Sequence, residues 1–234
     1  MKGDTLYLQK HDQHSSHAQI SQTIRRLAAV SRLETCTVLD VGCAAGFLRA
    51  FLPAPQYRLV GIEGSPELAE RAAQVYDTVH VADLNQPLVL PLEAPQAIVL
   101  GDILEHLPDP ETVLTQLLQQ FTKPGTPVII SLPNVAHLYV RLSLLLGRFD
   151  YGDRGILDRT HLRFFTLKTA KLLCANCNIR VQSVSVTPIP LPLIHPAFAE
   201  GGLLYPLHWV NYVLASAFKG LLGYQFILRG VYEP

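Results

Sequence analysis

The sequence has no excess of either charge and no long run of lysine or arginine. It contains 19 lysines and arginines against 19 aspartates and glutamates, which gives a formal net charge of zero. Proteins that attract nucleic acid or an anionic membrane over a distance normally carry a basic surplus. The composition therefore favours a small-molecule partner over a nucleic acid.

The sequence also lacks a segment typical of a secretory signal or a membrane span. Residues 1–17 are polar and rich in histidine, without the apolar core of a signal peptide, so we expect a cytoplasmic protein. The most apolar segment, residues 197–222, is predicted to be helical, but proline, histidine, asparagine and lysine interrupt it. We expect a core helix there first, and a helix that contacts a membrane surface or a partner second.

Cysteine pairs are scarce. Only Cys174 and Cys177 have Cys-x-x-Cys spacing, whereas a structural zinc site of this kind normally needs a second pair. This pair lies late in a helical pattern, which favours packing on a helix face over redox chemistry. Near the N-terminus, His11, His14 and His17 are accompanied by a single acid. We therefore expect a solvated lead-in there, and no metal site in the chain.

What the sequence does contain is a regular alternation of strand and helix patterns between residues 36 and 131. This alternation predicts a parallel sheet with helices on both faces, and the 234 residues are sufficient for one such domain with a sizeable core. Residues 1–33 are predicted to form a helical cap. Residues 132–166 interrupt the alternation after a strand and are predicted to form a substrate-side lid, in which Arg159 and Arg163 flank His161 and are able to hold an acidic acceptor.

The segment from Thr37 to Arg49 predicts a strand, a tight turn and a helix. Gly42 and Gly46 let the backbone approach a ligand closely, and Asp40 places a charge at the strand end. A Gly-x-x-x-Gly turn also occurs where a helix merely packs closely on a strand. The turn alone leaves both interpretations open.

Acidic residues at the ends of later strands favour the nucleotide interpretation. Glu63 lies 21 positions beyond Gly42, a separation that suits a carboxylate accepting both ribose hydroxyls of a ligand held by the first turn. Asp83 follows the third strand and is able to accept from an exocyclic amine, while Leu84 offers a backbone N–H and an apolar edge to a purine. The alternative for Asp83 is a loop-capping aspartate.

Together these motifs resemble the class I S-adenosylmethionine-dependent methyltransferases. The matching segments, in chain order, are VLDVGCAAG at 38–46, GIE at 61–63, AD at 82–83, GD and LEHL within 101–107, and KPG at 123–125. The later SLPN and LGRFDY segments resemble a bacterial subgroup linked to methylation of small molecules or cell-surface glycans. The match covers about the first 130 residues in the family's order.

The resemblance implies a Rossmann-like, doubly wound, seven-stranded sheet, mostly parallel, whose last strand, residues 224–232, is antiparallel. It implies S-adenosyl-L-methionine as the cofactor. The implied binding residues are Asp40, Gly42, Cys43, Ala44 and Gly46 around the methionine part, Glu63, Gly64 and Ser65 near the ribose, Asp83 and Leu84 near the adenine, and Asp102, Ile103 and Leu104 near the sulfonium. Ala44 departs from the family, which has its middle glycine at this position.

Histidines near these segments are the candidate general bases. We expect His106 or His161 to act in catalysis, with His137 a weaker candidate, and in each case the alternative is a hydrogen-bonded histidine that fixes a loop. Asp102, Glu105 and His106 also resemble a divalent-metal cluster of some methyltransferases. Many relatives carry Glu-His here without a metal, and we expect none.

The leading hypothesis is a methyltransferase that acts on a small-molecule or glycan-linked acceptor, in the first place at oxygen, as a monomer or homodimer. The first alternative is a cofactor-binding partner or regulatory subunit without its own turnover. The second is an NAD(P)-dependent oxidoreductase, which the short Gly-x-x-x-Gly turn and the acidic strand ends disfavour.

Overall fold

The computed structural model describes residues 12–234, so the prediction for His11 lies outside the described residues. Seven strands form one sheet. In chain order they are β1 Cys36–Val41, β2 Tyr57–Glu63, β3 Thr78–Val81, β4 Ala97–Gly101, β5 Pro127–Pro133, β6 Ile179–Thr187 and β7 Gln225–Tyr232. The sheet order is β3-β2-β1-β4-β5-β7-β6, and only β7 runs antiparallel to its neighbours. The predicted fold class is confirmed.

Helices cover both faces of this sheet. They are α1 Ser16–Val30, α2 Pro66–Ala73, α3 Pro110–Phe121, α4 Leu138–Leu145, α5 Leu167–Asn176, α6 Tyr205–Ala217 and α7 Lys219–Leu222. Successive residues of a strand point to opposite faces of the sheet, and both faces are buried at β1. Val38 packs with α1 on one face, and Leu39 packs with α3 on the other. This two-sided burial explains why the central strands are predominantly apolar on both faces.

The sequence signals for helix starts agree with the structure. Ser65 caps α2, where its hydroxyl accepts from the backbone N–H of Leu68, and Asp109 caps α3 in the same way. A proline occupies the first position of each helix, where a backbone N–H would have no intrahelical partner. The starts of these two helices place the loops that precede them at the carboxyl edge of the sheet.

Two predictions about helices were wrong. After the first turn the chain forms a single 3₁₀ turn, Phe47–Ala50, and no α-helix, because prolines at 53 and 55 stop it. The apolar segment 197–222 does not form a core helix. Within α6 only His208 and Ala215 are buried, whereas Trp209 and several aliphatic side chains are exposed.

The predicted insertion after β5 leaves the sheet and returns to it at one point. The backbone N–H of Val135 donates to the carbonyl oxygen of Phe165 at 3.0 Å, and Asn134 bridges to the same residue. Between these points α4 and the following loop build a small apolar cluster around Val140 and Ile156. No helix within residues 12–234 is both long and apolar enough to cross a membrane.

Candidate active site

A cavity of about 710 Å³ lies at the carboxyl ends of β1, β2 and β4. Nine of the residues predicted from the sequence line it: Asp40, Gly42, Cys43, Ala44, Glu63, Asp102, Ile103, His106 and His161. The cap helix α1 contributes His17 and Ile20, and the substrate-side insertion contributes Arg154. The structure thus brings together residues from three strand ends, the cap and the insertion. We call this space the strand-end cavity.

The first turn holds its shape through left-handed backbone conformations. Gly42 has φ of +73°, and a Cβ at this position would lie 2.7 Å from Cγ1 of Ile103, so a larger residue does not fit. Ala44 has φ of +47°, a conformation that usually belongs to glycine. Gly46 lies outside the cavity, where a Cβ would meet Val75 at 2.7 Å. Both glycines are therefore closely packed, and Gly42 differs from Gly46 in that it also lines the cavity.

Glu63 joins the first turn to the second strand. One carboxylate oxygen accepts the backbone N–H of Ala44 at 2.8 Å, and the other accepts that of Ser65 at 2.9 Å. These bonds fix the carboxylate at the cavity wall and leave lone pairs on both oxygens. Gly64 and Ser65 do not line the cavity, and the hydroxyl of Ser65 is used in the cap of α2.

Asp40 is buried at the base of the cavity beside a residue that sequence reasoning missed. The hydroxyl of Tyr76 donates to Oδ2 of Asp40 at 2.6 Å. Burial raises the pKa of Asp40 to about 7, the hydrogen bond from Tyr76 opposes this rise, and the charge of Glu63 adds to it. Burial likewise raises the pKa of the Cys43 thiol, which excludes an activated thiolate.

Asp102 is held on both sides at the end of β4. Its Oδ1 accepts from the hydroxyl of Ser131 at 2.6 Å, and its Oδ2 accepts from the side-chain amide of Gln225 at 2.8 Å. Its φ of +54° is unusual for aspartate and marks a constrained position. Gln225 begins β7, about 120 residues away in sequence, and no local pattern pointed to it.

Besides Gly46, Gly64 and Ser65, three more predicted cofactor residues do not line the cavity. The side chain of Leu104 is fully buried in the core, because the 3₁₀ turn after β4 directs it beneath the sheet edge. Leu84 is also buried in the core. Asp83 is exposed and accepts both the backbone and the side-chain N–H of Asn85, which fits the loop-capping alternative.

The two candidate bases, His106 and His161, lie side by side with ring centroids 4.8 Å apart. Nδ1 of His106 lies 3.2 Å from the carbonyl oxygen of Thr160, and Nδ1 of His161 lies 3.1 Å from that of Ile156. A carbonyl only accepts, so each Nδ1 carries a proton and each Nε2 is left as an acceptor in the neutral ring. Burial lowers the pKa of His161, which favours the neutral form at pH 7.

The remaining candidates have other roles. His137 caps α4 by accepting from the backbone N–H of Tyr139 and does not line the cavity. The expectation that Arg159 and Arg163 hold an acidic acceptor is not supported by the geometry. Arg159 pairs with Asp153 at 2.7 Å, and Arg163 donates to the carbonyl oxygen of Pro108, so both guanidinium groups already have partners on the protein.

Glu105, His106 and His161 are the one set of three potential metal ligands found among residues 12–234. One ligand atom from each lies within 4.8 Å of the others. The set differs from the sequence motif, because Asp102 is bound to Ser131 and Gln225 instead. The expectation that the chain binds no metal stays a prediction.

Comparison with known proteins agrees with this geometry. Residues 10–184 match the model of a methyltransferase domain family. Trans-aconitate 2-methyltransferase from Azoarcus sp. (strain BH72) is 31% identical over 109 residues, which are 46% of this chain and 43% of that protein. The tRNA U34 carboxymethyltransferase from Shewanella sp. (strain W3-18-1) is 34% identical over 110 residues, 44% of this chain and 33% of that protein.

Among solved structures, magnesium protoporphyrin IX methyltransferase (ChlM) from Synechocystis PCC 6803 with bound SAH superposes with a TM-score of 0.62. It is 14% identical, over 93% of this chain and 83% of that one. This likeness establishes the fold. The chain spans less than half the length of the two curated relatives described above, so their substrates do not transfer directly. The family model covers most of the chain, and the chain therefore belongs to the methyltransferase domain family, with the fold of S-adenosylmethionine-dependent methyltransferases.

Proposed function

We propose that this methyltransferase acts on an oxygen atom of a small-molecule or glycan-linked acceptor. The observation that carries the proposal is the meeting of three carboxylates, Asp40, Glu63 and Asp102, with two histidines in the strand-end cavity. The carboxylates suit a ligand with positive charge and ribose hydroxyls, and the histidines suit the removal of a proton from an acceptor.

The residues present fit S-adenosylmethionine. The cofactor carries an ammonium and a sulfonium, and the cavity supplies carboxylates at three strand ends. Glu63 is oriented by two backbone N–H groups, which suits acceptance of the ribose hydroxyls. Asp40 and the turn from Gly42 to Ala44 would hold the amino-acid part, and Asp102 and Ile103 the region of the sulfonium. The volume of the cavity is in the range of small-molecule sites.

When bound, the cofactor supplies a methyl group already activated by its sulfonium. The chain's main task is then to orient the acceptor in line with that methyl group and to exclude water. Asp102 serves this task as a fixed group, because Ser131 and Gln225 prevent its side chain from rotating. The Gln225 contact also ties the site to β7, which lies on the other side of β5 from β4.

His161 is our first choice for the general base. Its Nδ1 proton is directed to the carbonyl oxygen of Ile156, which leaves Nε2 to accept a proton, and its lowered pKa keeps the ring neutral. His106 lies beside it, and its Nδ1 likewise faces a carbonyl oxygen, that of Thr160, which makes Nε2 the proton acceptor. An acceptor hydroxyl must lose its proton during transfer, so the neutral imidazole of His161 fits attack by oxygen better than attack by a neutral amine or sulfide.

The charges around the strand-end cavity restrict the classes of acceptor that fit. The two relatives are named for an organic acid and a tRNA. Among the described residues that line the strand-end cavity, Arg154 is the one arginine or lysine, which is few for a polyanion. We therefore propose a small molecule or a glycan-linked acceptor over a nucleic acid, and action in the cytoplasm as a monomer or homodimer.

Calorimetric titration with S-adenosylmethionine, its demethylated product S-adenosylhomocysteine and NAD(P)H tests the cofactor assignment. We expect heat with the first two and none with the nicotinamide. A labelled-methyl assay with phenols, sugars, amines and cell extract then tests turnover. Cofactor binding without transfer to any acceptor would favour the regulatory-subunit alternative.

A further inference from the structure

A second cavity, of about 420 Å³, opens beside the strand-end cavity. Its wall is the connection between β6 and α6, which contributes four prolines: Pro188, Pro190, Pro192 and Pro196. We call it the proline cavity. Leu193 and Ala199 extend the same wall. Proline has no backbone N–H, so this wall presents mainly apolar rings to whatever occupies the space.

The proline cavity is adjacent to the site of chemistry. Pro190, Leu193, Tyr224 and Gln225 line both cavities. Gln225 is also the residue that donates to Asp102 at the end of β4. A molecule whose reacting atom lies in the strand-end cavity can therefore place its remaining part in the proline cavity, past Tyr224 and Gln225.

Polar groups around the proline cavity are acceptors or neutral. Asp12 and Glu200 line it, and Oδ2 of Asp12 lies 2.9 Å from Nε2 of the buried His208. The ring of His14 stacks on Tyr212 with centroids 4.0 Å apart, and burial lowers its pKa. Of the residues lining this cavity in the described part of the chain, none is lysine or arginine.

The segment that carries Asp12 and His14 is fixed to the sheet. The side-chain amide of Gln19 donates to the carbonyl oxygens of His14 and Val186, at 3.0 and 2.9 Å. These two hydrogen bonds attach the start of α1 to β6. The cavity is therefore a built feature of the fold, since both of its sides are attached to the same edge strand.

We propose that the proline cavity binds the body of the methyl acceptor, and that this body is apolar and carries no anionic group. The inference rests on the proposed function and names the substrate class for it. The volume suits a ring system or a short chain, the proline wall suits apolar surface, and the carboxylates of Asp12 and Glu200 repel an anion. An aromatic or aliphatic alcohol fits this chemistry, whereas a polycarboxylate or a nucleic acid does not.

Fluorescence titration with N-phenyl-1-naphthylamine, a neutral apolar dye, and with 8-anilinonaphthalene-1-sulfonate, an anionic dye of similar shape, tests the inference. We expect the neutral dye to bind more tightly. Ala199→Trp fills the cavity and should weaken binding of the neutral dye about tenfold or more. Ala73→Trp, an exposed position on α2 at the far end of the sheet, is the matched control and should leave binding within about twofold.

Glu200→Lys provides a second test at an exposed position that folding does not require. It should raise the affinity for the anionic dye about fivefold relative to the neutral one. The inference is overturned if Ala199→Trp binds the neutral dye as the wild type does, or if the anionic dye binds the wild type more tightly. Titration of the same variants with S-adenosylhomocysteine separates the two proposals. Retained dye binding without cofactor binding would refute the proposed function alone.

Discussion

The hydroxyl of Tyr76 donates a hydrogen bond of 2.6 Å to the buried carboxylate of Asp40, at the base of the strand-end cavity. Tyr76 follows α2, and its ring also packs against the positions of Gly46 and Gly61, where a Cβ would approach it within 3.2 Å. One side chain therefore supports the first turn and opposes the rise that burial causes in the pKa of its acid. Because that pKa is still raised to about 7, Asp40 changes protonation near neutral pH.

Cofactor affinity should depend on pH through Asp40. The ionised carboxylate attracts the ammonium group of S-adenosylhomocysteine, so affinity should rise between pH 6 and pH 8 as Asp40 loses its proton. Tyr76→Phe removes a bond that lowers the pKa of Asp40, so the midpoint should move to higher pH. Calorimetry across this range measures both effects. Asp40→Asn should bind more weakly and lose the pH dependence, and an unchanged profile in this variant would contradict the assignment.

Asp40 should also make the free energy of unfolding depend on pH, and this free energy should fall with rising pH whereas cofactor affinity rises. The folded state holds the Asp40 proton up to about pH 7, whereas the unfolded chain releases it near pH 4. The contribution of Asp40 is therefore fully present below pH 4 and is lost as the pH rises toward 7. Urea unfolding of wild type and Asp40→Asn at pH 5 and pH 8 should show a smaller decrease with pH in the variant. Equal decreases would argue against a raised pKa.

Glu63→Ala should weaken S-adenosylhomocysteine binding by about 1 to 3 kcal/mol, the value of a charged hydrogen-bond acceptor. Glu63→Gln keeps one acceptor oxygen and should lose less. Glu70→Ala removes an exposed glutamate on α2 and serves as the control. Calorimetric affinities at constant pH compare the three. A Glu63→Ala protein that binds as tightly as wild type would refute the ribose assignment.

Gly42→Ala should destabilise the fold by about 2 to 4 kcal/mol, the sum of a left-handed backbone cost and a steric overlap. The added Cβ would lie 2.7 Å from Cγ1 of Ile103, at a φ of +73°. Gly64→Ala is the matched control, because its Cβ would meet nothing closer than 3.7 Å. Unfolding in urea measures both proteins. Similar midpoints for the two variants would show that the turn tolerates a side chain.

His161→Asn should reduce the methyl-transfer rate about 10² to 10⁴-fold, as expected for loss of a general base, with little effect on cofactor affinity. Because the pKa of His161 lies below its usual value, the wild-type rate should rise with pH and level off by neutral pH. His106→Asn tells which of the two imidazoles removes the proton. His137→Ala removes the cap of α4 and should lower stability while the transfer rate is retained. A full rate in both His161→Asn and His106→Asn would exclude histidine catalysis.

Turnover should survive dialysis against EDTA. The proposed mechanism uses His106 and His161 as proton acceptors, and metal coordination would occupy the same nitrogens. Loss of activity with EDTA, restored by a divalent cation, would instead assign Glu105, His106 and His161 as ligands. Cofactor calorimetry before and after dialysis separates a metal effect on catalysis from one on folding.

Much of the fold and part of the site were predictable because their signals are local. Each of these signals depends on a few neighbouring residues. They are the strand patterns, the helix caps Ser65 and Asp109, and the acids at strand ends. Three site predictions are not supported by the lining of the cavity: the side chains of Leu104 and Leu84 turn into the core, and the exposed Asp83 caps its own loop. The exposed face of α6 fits the second interpretation of this segment and not the first, since an apolar composition does not tell which surface a helix will cover.

By itself, the sequence determined the order of the elements, the turn at Gly42 and the position of Glu63 at the second strand end, because backbone conformation and hydrophobic period act over a few residues. The tertiary structure alone decided the contacts between distant segments. It brought Tyr76 to Asp40, Gln225 to Asp102 and His161 to His106. It also closed the proline cavity between the start of α1 and the connection after β6. Those contacts depend on how the helices and the last strand pack on the sheet, and no spacing along the chain encodes that packing.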